Sequence, residues 1–127
     1  MPFDWTNFLT LAEELATKTD EASKRTAISR AYYCVFNLAF ARAQSRVGLR
    51  PKDAPSHQWC WQQHTGTLDP ACQQLGNTGD RLKRMRVKAD YRDTDIPRLD
   101  GEVQRMLEDA HQFLADLATL DPKYPRP

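Results

Sequence analysis

Long apolar runs are missing from this sequence. None approaches the roughly 20 residues needed to cross a bilayer, so no membrane-spanning role is expected. The opening stretch MPFDWTNFLT lacks the basic start and apolar block of a secretory signal. Cysteine is scarce as well: Cys34, Cys60 and Cys72 are odd in number and form no Cys-x-x-Cys pair. They read as reduced thiols in a cytoplasmic protein rather than a disulfide framework. Net charge is almost absent, at +1, which argues against bulk coating of nucleic acid and leaves only a local patch for such contact. There is no Gly-rich phosphate loop, no Gly-x-Ser-x-Gly and no His-Glu-x-x-His. No cofactor is therefore expected.

Strand-type alternation is missing too, and only five glycines punctuate the 127 residues. What remains is helical periodicity in one domain over residues 1–127, of soluble globular composition. Trp5, Phe8, Leu9, Ala12, Leu15 and Ala16 recur at helical spacing from about Trp5 to Thr17. Thr19 or Asp20 then caps a second helix from about Glu21 to Arg46, apolar on most sides through Ile28, Ala31, Tyr32, Val35, Phe36, Ala39 and Phe40. A helix of that character is central and packed by several neighbours.

After the loop VGLRPKDAP, Ser56 is the expected N-cap of a short helix, HQWCWQQH. The segment TLDPACQQLGNTGD is expected as a short helix or turn before a separate helix carrying Leu82, Met85 and Ala89 inward. A break from Asp93 to Pro97 precedes a last helix, about Leu99 to Leu120, with the bundle stripe Val103, Met106, Leu107, Ala110, Phe113, Leu114, Leu117. The proline-rich tail, 121–127, is expected to be loose. The fold expected is all-α: an up-and-down antiparallel helical bundle of four main helices plus a short one.

Chemistry concentrates in RMRVKADYRD, residues 84–93. From Asp80 to Arg92 the local charge is +4. Most such runs are solvated helix faces, yet arginine's planar fork suits phosphate. Arg84 and Lys88 fall outside the inward stripe. Arg86 and Asp90, four residues apart on its flank, can pair or border a cleft. Tyr91 adds a phenol and Arg92 further charge. Arg30 reads either as a snorkelling surface side chain or as a buried partner for an acid. Tyr32 reads as core, with its hydroxyl satisfied at the edge. His57, Cys60 and His64, at i, i+3 and i+7, could share a helix face. Without a fourth ligand, two surface histidines and a semi-buried thiol are the commoner reading, and no metal site is expected. His57 could instead line a polar site.

SRAYYCVFNLAFARA, SHQWCW, RVKADYRD and DAHQFL on a final helix together resemble the HEPN domain family, over about Phe8 to Leu120. The resemblance implies an up-and-down helical bundle that forms a homodimer. Many members are metal-independent ribonucleases in which an arginine and a histidine a few residues later meet their copies across the dimer. Other small members pair with a minimal nucleotidyltransferase in toxin–antitoxin systems, and in some pairs a tyrosine of the motif is modified.

Carried over, Arg86 matches the motif arginine. Asp90 or Tyr91 stands where the histidine is expected, which is a departure from the motif. Taking Arg84 as the arginine instead puts Ala89 at that place. The resemblance thus implies Arg86, Asp90, Tyr91 and His57 as candidate catalytic residues. Arg84, Lys88, Arg92 and Arg30 become candidate contacts to RNA or phosphate, and Tyr91 the candidate for modification. Three readings stay open: a HEPN-type ribonuclease or toxin of a toxin–antitoxin or defence system, a non-catalytic HEPN module binding nucleotide, RNA or a partner nucleotidyltransferase, and a dimeric helical scaffold.

Overall fold

The computed structural model describes residues 2–124. Five helices follow in chain order: α1 (Thr6–Ala16), α2 (Glu21–Val47), α3 (Ser56–Thr65), α4 (Pro70–Tyr91) and α5 (Leu99–Leu120). No strand occurs among the described residues. The all-α bundle read from periodicity is the observed architecture, and the expected bounds of α5 are matched.

Helix α2 is the axis of the bundle, packed against each of the other four. Its buried residues run from Ala27 to Ala43 and include Ile28, Tyr32, Val35 and Phe36. With so little polar surface in its middle, it is stable only where neighbours cover it all round. Each large side chain buried fully, such as Ile28 or Phe113, contributes roughly 1.5–3 kcal/mol. Asp20 caps α2, its carboxylate accepting from Ser23 N at 2.9 Å.

Three expectations need correction. Residues 70–79 are neither a turn nor a separate short helix; they are the first half of a continuous α4, capped by Asp69, whose carboxylate accepts from Ala71 N, with Pro70 in the first turn. Gly76 and Gly79 do not break it because they are the surface on which α3 lies. A Cβ on Gly76 would stand 2.6 Å from Thr65 Cγ2, and one on Gly79 would overlap the Trp61 ring. The helix tolerates the glycines' lost propensity in return for that close approach.

Ser56 is the first residue of α3 rather than its cap; Pro55 holds the cap position without a side-chain hydrogen bond. The tail is docked as far as residue 124. Tyr124 is buried, its hydroxyl donating to the Ala41 carbonyl at 3.3 Å, and Lys123 Nζ donates to Ser45 Oγ at 3.2 Å. The aromatic ring covers α2 surface that would otherwise face water. The rest of the segment expected to be loose, 125–127, lies outside the described residues.

Candidate functional site

The α2–α4 contact gathers the candidate residues. Tyr32 projects from the most buried stretch of α2, where a phenol needs a polar partner. It has two. Trp61 Nε1 of α3 donates to its hydroxyl oxygen at 3.2 Å, and that hydroxyl lies 2.6 Å from His57 Nδ1. The indole N–H can only donate. The arrangement that satisfies all three groups has Tyr32 donating its proton to Nδ1, which leaves His57 with its proton on Nε2.

His57 also stacks on Phe36, ring centroids 4.1 Å apart. Burial, with Arg86 and Lys83 nearby, lowers its pKa to about 4, so it is a neutral imidazole at physiological pH. Its basic nitrogen is engaged by Tyr32. His57 is thus a hydrogen-bond donor, poorly suited to be a general base. Burial likewise pushes the Tyr32 phenol above its ordinary range.

Arg86 enters the same cluster from α4. On the flank of the inward stripe it is 7% exposed, and it pairs with Asp90 as the four-residue spacing allows. Its guanidinium carbon lies 5.4 Å from the ring centroids of both Tyr32 and Tyr33, and 6.0 Å from that of Tyr91. Asp90 Oδ2 pairs with Arg86 Nη1 at 3.5 Å and accepts from Ser29 Oγ at 3.3 Å. That leaves Arg86 Nε, buried, without a hydrogen-bond partner among the described residues. Tyr91, 74% exposed, stands at the rim.

Four candidates therefore converge: Arg86, Asp90, Tyr91 and His57. Arg30 is half-buried near them, with no acid partner among the described residues. Its guanidinium carbon lies 4.6 Å from the Phe8 centroid and 5.2 Å from that of Tyr33.

The remaining basic residues divide. At about 100° per residue, Arg84 and Lys88 lie on the far side of α4 from Arg86. There Arg84 pairs with Asp80, and both Arg84 and Lys88 line a groove against α5 with Glu102, Arg105 and Asp109. Arg92 is committed locally, its Nε donating to Thr94 Oγ1 at 2.9 Å. Its carbonyl accepts from Arg25, which also donates to the Thr94 carbonyl at 2.8 Å and so fastens the end of α4 to α2. The compact knot of charge in the sequence is thus two opposed faces and a buried arginine.

Periodicity missed Trp61, Ser29 and Arg25 as parts of this site, because their partners lie 29 to 69 residues away. His64 and Cys60 also depart from the surface reading: both are fully buried. His64 Nδ1 donates to the Cys60 carbonyl at 2.8 Å. Burial raises the Cys60 thiol and pushes Cys34 up to about 12, leaving both protonated near neutrality. Among the described residues no group of three or more His, Cys, Asp and Glu side chains is placed to hold a metal ion. No helix there is long and apolar enough to cross a membrane.

Comparison with known proteins gives no match to this chain from any family model, curated protein or solved structure.

Proposed function

We propose that the α2–α4 face binds the phosphate of an RNA or a nucleotide, and that the protein is a HEPN-type module of a toxin–antitoxin or defence system. The observation that carries this reading is the convergence of Arg86 and a neutral, donor-form His57 around Tyr32. An arginine beside a second fixed N–H donor suits a phosphate oxygen, and the aromatic rings around it suit a base or ribose. Tyr91 and the partly exposed Val87 border the same face, where a second copy would bring a second Arg86. Tyr91 is exposed enough for a partner nucleotidyltransferase to modify.

Binding is favoured over cleavage because the site is rich in donors and poor in bases. The ribonuclease reading survives through one observation: Asp90, the carboxylate touching Arg86, keeps partial solvent access and could accept the proton of a ribose 2′-OH.

Retention of a short labelled RNA and of a labelled nucleotide in EDTA tests both readings. Arg86→Met is expected to weaken binding about tenfold, the equivalent of one charge-assisted hydrogen bond. The opposite-face pair Arg84→Ala with Lys88→Ala is expected to change little beyond salt dependence. RNA cleavage lost on Asp90→Asn would favour the ribonuclease. Equal binding by wild type and Arg86→Met would leave only a scaffold.

A further inference from the structure

A second polar cluster lies away from the α2–α4 face, where the C-terminal half of α2 meets the α3–α4 connection. Arg42 and His64 line a concavity of about 290 Å³ there, and both are more than nine-tenths buried. Each keeps one buried nitrogen without a hydrogen-bond partner among the described residues. Such atoms are costly, on the order of 1–3 kcal/mol each, and call for an explanation.

The two nitrogens have opposite character. His64 Nδ1 gives its proton to the Cys60 carbonyl, so Nε2 is a bare acceptor. Burial holds the ring below its ordinary pKa and so neutral. Arg42 Nη1 donates to Cys72 Sγ at 3.7 Å, while Nε stands 3.7 Å from Asp121 Oδ2, an ion pair too long for a hydrogen bond. Arg42 Nε–H is therefore a spare donor. Arg46, one turn along α2, is exposed on the same wall and adds a second guanidinium.

We propose that Arg42, Arg46 and His64 form a site for a protonated phosphate group, either inorganic phosphate or a phosphate monoester. Such a group offers what the site lacks: anionic oxygens to accept from the arginines and a P–OH to donate to His64 Nε2. A fully ionised oxyanion offers only the first. A single water, whose share of liquid is about 30 Å³, would occupy a small part of the space. Val47 and Leu68, exposed apolar side chains at the edge, give an organic substituent a surface to lie on. Asp69 and Asp121 offset part of the arginine charge. Selectivity for the P–OH, rather than high affinity, is the signature of the site.

Calorimetric titration of the full chain near pH 6, where about half of a monoester still carries its proton, tests this. Sodium phosphate, phenyl phosphate and sodium sulfate are the probes. Phosphate or phenyl phosphate is expected to bind about tenfold more tightly than sulfate, one hydrogen bond's worth. Arg46→Met, a surface substitution that leaves the core intact, is expected to remove about tenfold from that binding. Because the α2–α4 face also takes phosphate under the reading proposed above, the titration is repeated on Arg86→Met, where the component that depends on Arg46 and discriminates against sulfate should remain. Tighter binding of phenyl phosphate assigns the ligand to a monoester, and tighter binding of inorganic phosphate assigns it to the free ion. The proposal is overturned by equal affinity for sulfate, by indifference to Arg46→Met, or by no binding at all, in which case water fills the space. Binding lost on Arg86→Met but kept on Arg46→Met would also overturn it, while leaving the α2–α4 face as the phosphate site.

Discussion

Tyr32 Oη lies 2.6 Å from His57 Nδ1, and the same hydroxyl accepts from Trp61 Nε1 at 3.2 Å. This one phenol ties α2 to α3 and sets the tautomer of the histidine beside Arg86. Tyr32→Phe removes the hydroxyl that donates to Nδ1 and leaves the buried indole N–H without its acceptor. A loss of about 1–3 kcal/mol in stability is expected from urea unfolding. Removing that hydrogen bond also takes away support for the neutral imidazole, so the His57 pKa, read from its NMR titration, should rise in the variant. An unchanged pKa would show that Tyr32 does not donate to it.

The pH dependence of stability follows from the same histidine. Its folded pKa, about 4, is depressed below the ordinary 6.5. Between those values the unfolded chain binds more protons than the folded one, so stability is fully present above about pH 6.5 and falls as the pH drops through about 4. His64, lowered by burial, adds to the slope in the same direction. His57→Gln is expected to flatten the stability profile between pH 6.5 and 4 without abolishing its slope. Urea midpoints across that range check it, and a slope identical to wild type would mean that His57 titrates normally in the fold.

The glycines of α4 and α5 make opposite predictions. Gly79→Ala drives a methyl into the Trp61 ring and is expected to cost at least about 1–3 kcal/mol, the range for overpacking a tight contact. Nothing stands within 4 Å of a Cβ on Gly101, in the first turn of α5. Gly101→Ala should therefore stabilise by about 0.4–1 kcal/mol through the unfolded chain's lost freedom. Thermal unfolding of the two variants should move in opposite directions.

Tyr124 offers a test of the docked tail. Its side chain is 4% exposed and anchored to the Ala41 carbonyl. Tyr124→Ala is expected to cost about 3 kcal/mol, at the low end for truncating a buried aromatic. Tyr124→Phe should cost about 1 kcal/mol, the hydrogen bond alone. Equal, negligible effects in denaturant titrations would mean that residues 121–124 do not contribute to the folded state in solution.

Much of the fold was legible because the governing signals are local. The stripe Val103, Met106, Ala110, Phe113, Leu117 defines α5 through contacts three and four residues apart. The all-round apolar middle of α2 required neighbours on every side. Thr19 or Asp20 before Glu21 marked the start of α2, and Asp20 is the one that caps it. In RMRVKADYRD, the i, i+4 spacing of Arg86 and Asp90 allowed the pair that the structure contains.

Local pattern was thus enough for most of the helices and for the central place of α2. Where the residues of RMRVKADYRD lie and what they touch came from the packing of distant segments. The segment holding Gly76 and Gly79 read as a short helix or turn, and it is continuous helix with α3 lying across it. Arg86 keeps its place on the flank of the stripe, but its burial depends on Tyr32 and Tyr33, and the groove that Arg84 and Lys88 line depends on α5. The tautomer of His57 was fixed by a tyrosine 25 residues away and, through it, by Trp61. Periodicity records which face of a helix is apolar, whereas burial, tautomer and close approach depend on partners that only folding brings together.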